Sequence, residues 1–123
     1  MQRKVQEVVT FEEITRACDA PDIRCIVLKF GARWCTPCQE VAPMVKQWLA
    51  EEAPQGVAIL SVDADDADSI LDHYSIMKLP TFVLLCRDGT IASRLQTSDF
   101  AKVRIEITDH LERTSRSAPD GDF

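Results

Sequence analysis

The sequence predicts an α/β domain: a mixed five-stranded central sheet with helices on both faces, in the order βαβαβαββα. Three observations predict it. Apolar runs at residues 24–30, 57–62 and 82–85 are hydrophobic on both faces, as buried central strands are. Segments with apolar residues at helical spacing separate them, so the early strands pair in parallel through right-handed crossovers. An Asp88-Gly89 turn then folds the last two strands into an antiparallel hairpin.

Each element has its own justification. Residues 3–9 read as a short edge strand. Thr10-Phe11-Glu12-Glu13 is a capping box, in which Thr10 caps a helix and Glu13 reaches back. Phe11, Ile14 and Cys18 share its inward face, and Pro21 stops it. Residues 24–30 form the central strand, interrupted only by Lys29. The next helix starts around Cys35 and Cys38. Val41, Met44, Val45 and Trp48 are its apolar stripe, and Pro43 inside it predicts a kink. Residues 57–62 are the next buried strand. The acidic run at 63–68 lacks the glycine and distal glutamate of a calcium loop. It reads as the capped, dipole-complementing start of a short helix with Ala67, Ile70 and Tyr74 on one face. Leu79-Pro80-Thr81 leads into the strand at 82–85, and residues 91–95 return beside it. Thr97-Ser98-Asp99 caps the last helix, with Phe100, Val103, Ile107 and Leu111 inward. From Thr114 the chain is polar and carries Pro and Gly, so a domain at 1–113 followed by a disordered tail at 114–123 is expected.

A chain of 123 residues that is 46% hydrophobic builds one domain with a core of its own. Its 20 acidic against 14 basic residues give a net charge of −6, which argues against nucleic-acid partners. No run is long enough to span a bilayer and no secretory leader is visible, so a cytoplasmic protein is expected. The five cysteines are an odd number, which fits no disulfide framework. In a reducing compartment a close Cys-x-x-Cys is catalytic or metal-binding rather than a staple.

That pair is Trp34-Cys35-Thr36-Pro37-Cys38. Two thiols one turn apart at a helix start can close to a disulfide with little movement. The first sulfur lies near unpaired backbone N–H groups and the positive end of the helix dipole, which favours its thiolate. Zinc is the competing chemistry, but no second Cys/His pair has ligand spacing. His73 and His110 read as ordinary surface or interfacial residues. Cys18, Cys25 and Cys86 read as small buried hydrophobes.

Together these residues resemble the thioredoxin family over about residues 3–113. Trp34-Cys35-x-Pro37-Cys38 is similar to its Trp-Cys-Gly-Pro-Cys signature, with Thr36 in the glycine position. Phe30, Ala32, the kink proline Pro43, Tyr74-x-Ile76-x-x-x-Pro80-Thr81 and Asp88-Gly89 also fit. The resemblance implies a thioredoxin-like fold and thiol–disulfide exchange. Cys35 is then the attacking thiolate and Cys38 the resolving thiol. Pro80 is the cis-proline that faces the disulfide and keeps metals off it. Trp34, Leu79 and Pro80 line the substrate groove, and Thr36 and Pro37 tune the redox poise. No bound cofactor or metal is implied. Electrons come indirectly from NADPH through thioredoxin reductase or a similar reductase. They pass to disulfide-containing proteins such as peroxiredoxins or ribonucleotide reductase. A monomer without nucleic-acid or membrane partners is expected.

Further positions depart from the family. Lys29 stands where thioredoxins usually carry a buried aspartate that helps move the proton of the second cysteine. Either its stem packs while its ammonium snorkels out, or it sets a cation near the sulfurs. Ile59 stands where many members carry a lysine. Gln96-Thr97 replaces a glycine near the groove, so Thr97 is a candidate substrate contact. The leading function is a protein-disulfide reductase. The alternatives are an oxidant or isomerase of the same fold, and a non-catalytic module that binds partners around Trp34 and Pro80.

Overall fold

The computed structural model describes residues 3–116. Its elements run β1 (Gln6–Glu7), α1 (Phe11–Asp19), β2 (Cys25–Gly31), α2 (Thr36–Glu51), β3 (Val57–Asp63), α3 (Asp68–His73), β4 (Thr81–Leu85), β5 (Ile91–Leu95) and α4 (Phe100–Arg116). The sheet order is β1-β3-β2-β4-β5. β1 and β2 lie parallel to β3, whereas β4 is antiparallel to both β2 and β5. This is the mixed five-stranded sheet read from the sequence.

The alternation of side chains along each strand sorts the core into two layers. Cys25, Val27, Ile59, Phe82 and Leu84 meet Val41, Val45 and Trp48 of α2 and Phe100, Val103 and Ile107 of α4. Ile26, Leu28, Phe30, Leu60, Val83 and Leu85 meet Ile14 and Cys18 of α1 and Ile70 of α3 on the other face. β2 lies between β3 and β4, and all seven of its residues are buried.

Local chemistry sets the ends. The Thr10 side chain accepts from the Glu13 N–H at 3.2 Å, and the Glu13 carboxylate accepts from the Thr10 N–H at 3.1 Å, completing the capping box. Gly89 turns the hairpin at φ 89°, a conformation that favours glycine, while the Asp88 carboxylate accepts from the Thr90 N–H at 3.0 Å. Asp99 accepts from the Ala101 N–H at 3.1 Å and receives its own cap from Thr97, whose hydroxyl accepts its N–H at 2.9 Å.

Several expectations are corrected. β1 shrinks to two residues, although the Val8 N–H still donates to the Ser61 carbonyl at 3.0 Å. Phe11, the first residue of α1, is exposed and packs edge-on against the His73 ring. Met44 is exposed because the buried stripe of α2 runs through Cys38, Val41, Val45, Trp48 and Leu49, leaving position 44 on the outer flank. α3 has Ala67 at its N-cap and no side-chain cap, and the Asp63 carboxylate accepts from the Asp65 N–H. α4 runs on to Arg116, past the expected end at 113; of the expected tail, residues 117–123 lie outside the described residues.

His110 of α4 is buried against the Arg24 strand entrance. Burial, helped by the Arg113 and Arg24 charges, holds its imidazole below the ordinary pKa of 6.5, against its bond to the Arg24 backbone and the Glu106 charge. The unfolded chain therefore binds a proton below about pH 6.5 that the folded chain resists, and stability falls as pH drops through that window. Urea unfolding between about pH 7 and about pH 5 is expected to show a steeper loss for the native chain than for His110→Gln. Equal slopes would remove His110 as the cause.

Candidate active site

β2 ends at Gly31, and the chain must turn at once to start α2. The turn is closed by the Cys35 N–H donating to the Ala32 carbonyl at 3.2 Å. Cys35 is the N-cap of α2, in extended conformation, and Pro37 lies in the first turn, where its missing N–H costs nothing. Cys35 and Cys38 are joined as a disulfide with Cα atoms 5.3 Å apart. The Cys38 N–H donates to the Cys35 sulfur at 3.3 Å, so the first sulfur already sits where a helix start stabilises negative charge.

Both cysteines are buried and pack with Ala32 against Leu79 and Ala64. Leu79 precedes Pro80, and the bond between them is cis. Phe30 pairs with Thr81 across the sheet, which sets Pro80 at the same sheet end as the disulfide. Phe82 pairs with Leu95, which brings Thr97 to that end as well. The Thr97 hydroxyl is engaged with the Asp99 N–H. Trp34 is 68% exposed and its indole N–H donates to Asp65 at 3.3 Å. It is therefore a surface residue beside Cys35 and not a core tryptophan.

Gly31 faces both the Cys38 sulfur and the Lys29 side chain. A Cβ there would meet the Cys38 sulfur at 3.4 Å and the Lys29 ammonium nitrogen at 3.8 Å. The two atoms thus flank one point beside Gly31. Lys29 is only 8% exposed, so its side chain is buried behind the disulfide and does not snorkel. Burial, and then Lys46, lower its pKa from 10.5, against Asp63 and Glu7. Lys29, Cys38, Asp63, Lys46 and Glu7 all border one cavity of about 330 Å³. That is room for several waters at about 30 Å³ each.

Sequence reasoning missed the use of the acidic run. Asp65 holds Trp34, Asp66 pairs with Arg33 at 3.4 Å, and the Ala64 N–H donates to the Gly31 carbonyl at 2.8 Å. These bonds fasten the cysteine loop to the β3–α3 loop. No local pattern announces them, because the partners are about thirty residues apart. Among the described residues no group of three or more His, Cys, Asp or Glu is placed to hold a metal ion.

Residues 5–109 match the family model described as Thioredoxin. The chain is 34% identical over 86 residues to Thioredoxin-1 of Drosophila melanogaster, covering 70% of this chain and 79% of that protein. The thioredoxin of Fasciola hepatica superposes with a TM-score of 0.77 at 33% identity, over 86% of this chain and 99% of that one. The thioredoxin of Trypanosoma brucei brucei superposes with a TM-score of 0.79 at 26% identity, over 91% and 95% of the two chains.

The two tryptophans should separate cleanly in stability. Trp48 is buried, with its ring 5.5 Å from that of Phe100. Trp48→Ala is expected to cost about 3–5 kcal/mol, and Trp34→Ala less than about 1 kcal/mol. Urea titrations of the two variants check this, and a large loss for Trp34→Ala would assign it a structural role.

Proposed function

The chain belongs to the thioredoxin family, and on that premise we propose that Cys35 and Cys38 carry its thiol–disulfide oxidoreductase activity as attacking and resolving thiols. The observation that carries this reading is the disulfide at the start of α2, with the Cys38 N–H directed at the Cys35 sulfur.

In the reduced protein the Cys35 thiolate attacks a substrate disulfide. One substrate sulfur leaves as a thiolate and takes a proton, and a mixed disulfide forms. Cys38 loses its proton and attacks Cys35, releasing the second substrate thiol and restoring the Cys35–Cys38 disulfide. Two electrons have passed to the substrate. Trp34, and Met77 at 83% exposure, offer apolar surface for docking an unfolded or flexible segment. Leu79 and Pro80 offer backbone beside the sulfurs, and Thr97 borders the same end. Thr36 and Pro37 set the loop between the sulfurs. Reductant comes from NADPH through a thioredoxin reductase or similar enzyme, and disulfide-bearing proteins are the acceptors.

Lys29 has the part of proton handler and electrostatic partner of Cys38. A buried cation beside Cys38 stabilises the thiolate and so the dithiol, which makes the couple more oxidising than one with a carboxylate there. This observation favours a second reading, a carrier poised toward oxidation. The free state of Cys18, Cys25 and Cys86 suits a reducing compartment, and we assign the protein to the cytoplasm. Among the described residues no helix is long and apolar enough to cross a membrane.

NADPH-coupled reduction of insulin disulfides with a matched reductase tests the main reading: turnover is expected for the native chain and only background for Cys35→Ser. No turnover from the native chain would overturn it.

Lys29→Asp is expected to raise the Cys38 thiol pKa and make the couple more reducing. One pKa unit corresponds to about 1.4 kcal/mol, or about 30 mV. Redox titration against glutathione measures the shift, and an unchanged potential with unchanged thiol pKa values would refute the role of Lys29.

A further inference from the structure

The pole of the sheet opposite the active site holds a second group of thiols. Ile26 of β2 pairs with Leu85 of β4 in antiparallel register, so the next step of the ladder sets Cys25 opposite Cys86. The N–H groups of both residues turn away from this pair: Cys25 donates to the Gly56 carbonyl at 3.0 Å and Cys86 to the Thr90 carbonyl at 2.9 Å. The two cysteines thus continue the ladder as a non-hydrogen-bonded pair. In that class the Cα atoms are about 4.5 Å apart and the side chains lie closest. A disulfide needs about 4.4–6.8 Å between Cα atoms. Both thiols are free, Cys25 fully buried and Cys86 half-buried. Burial, and then the neighbouring Cys86 sulfur, push the Cys25 thiol up to about 12.

A candidate base shares a cavity with Cys86. His110 of α4 and Cys86 border one cavity, together with Arg24, Arg87, Asp88 and Thr114. His110 is 2% exposed. Its ring bonds the Arg24 backbone, yet its Nε2 has no hydrogen-bond partner among the described residues. A histidine that shares a cavity with a half-buried thiol and has an unpartnered imidazole nitrogen is the candidate base for that thiol.

We propose that Cys86 and Cys25 form a second dithiol, oxidised to an internal disulfide by small-molecule disulfides of the glutathione class, with His110 as the base for Cys86. His110 Nε2 takes the Cys86 proton, and the thiolate attacks the small disulfide. A mixed disulfide forms on Cys86, and the first small thiolate leaves with the proton returned by His110. Cys25 then attacks the Cys86 sulfur, its proton passing to the second small thiol as that leaves. Two protein thiols are oxidised by two electrons, and one small disulfide becomes two small thiols. β2 and β4 are already neighbours, so the bond closes without parting the sheet. Cys25 is the slower thiol, because burial keeps it protonated. The site reads the small-thiol pool independently of Cys35 and Cys38.

The test uses the full chain carrying Cys35→Ser and Cys38→Ser, incubated with glutathione disulfide and mapped without reduction by mass spectrometry. A linked Cys25–Cys86 peptide is expected, with Cys18 still a free thiol. With Cys25→Ala added, the glutathione adduct should persist on Cys86. His110→Gln should slow modification of Cys86 by on the order of tenfold, whereas Cys86→Ser should abolish the link while the chain stays folded by circular dichroism. Three outcomes would overturn the proposal: an adduct on Cys86 that never passes to Cys25, a Cys86 that glutathione disulfide does not modify, or a link formed only in urea.

Discussion

The site depends on β2 being hydrogen-bonded along both edges. Its seven residues pair with β3 on one side, and five of them with β4 on the other. Ile26, Leu28 and Phe30 are fully buried, each contributing roughly 1.5–3 kcal/mol of apolar burial. A strand held this way cannot slip, since a one-residue shift would turn every side chain to the wrong face. Gly31 is therefore fixed in space, α2 starts against it, and the cysteine pair inherits its position from the sheet. Leu79 and Pro80 reach the same point because Thr81 is held opposite Phe30. The chemistry sits on a loop, but the loop is fastened to the most anchored element of the fold.

The two-residue period of β2 then decides what lies behind the site. Cys25, Val27 and Lys29 share the face covered by α2 and α4, whereas Ile26, Leu28 and Phe30 face α1 and α3. Had the lysine stood at 28 or 30, its charge would lie under α1, remote from the sulfurs. At 29 it lies under α2, beside Cys38. The same alternation sets Cys25 on that face at the other end of the strand, where α4 carries His110. One strand thus delivers a cation to one pole and a thiol to the other.

What was legible in the sequence follows from the range of the interactions. The capping box at Thr10, the Asp88-Gly89 turn and the helix start at Cys35 are local, and each is written in neighbouring residues. The buried strands are legible because burial on both faces leaves an unbroken apolar run. Phe11 and Met44 were misread because helical spacing marks a stripe but not its edges. The bond of Trp34 to Asp65 and the facing of Cys25 and Cys86 depend on register between distant segments. Lys29 was legible as an anomaly, an ionisable residue in an apolar strand. Only the packing of α2 over Gly31 shows that its nitrogen and the Cys38 sulfur flank the same point.

The sign of Lys29's influence follows from comparing the two redox states of one buried lysine. In the disulfide state neither sulfur carries charge, and among the described residues no carboxylate forms an ion pair with Lys29. Its desolvation then goes largely uncompensated, which is why its pKa is lowered. Reduction creates a group beside it that can carry a negative charge. The ammonium and a Cys38 thiolate attract in a setting more weakly screened than water, so the dithiol state gains what the disulfide state lacks. A buried aspartate at the same position would do the reverse, repelling a thiolate and favouring a protonated Cys38. By this argument lysine and aspartate bias the couple in opposite directions. Ile59 adds to this difference: the next residue pair along the same face, Val27 with Ile59, is apolar and offers no counter-charge. On the proposed roles, Cys35 and Cys38 keep the family's exchange chemistry while Lys29 behind them shifts its driving force.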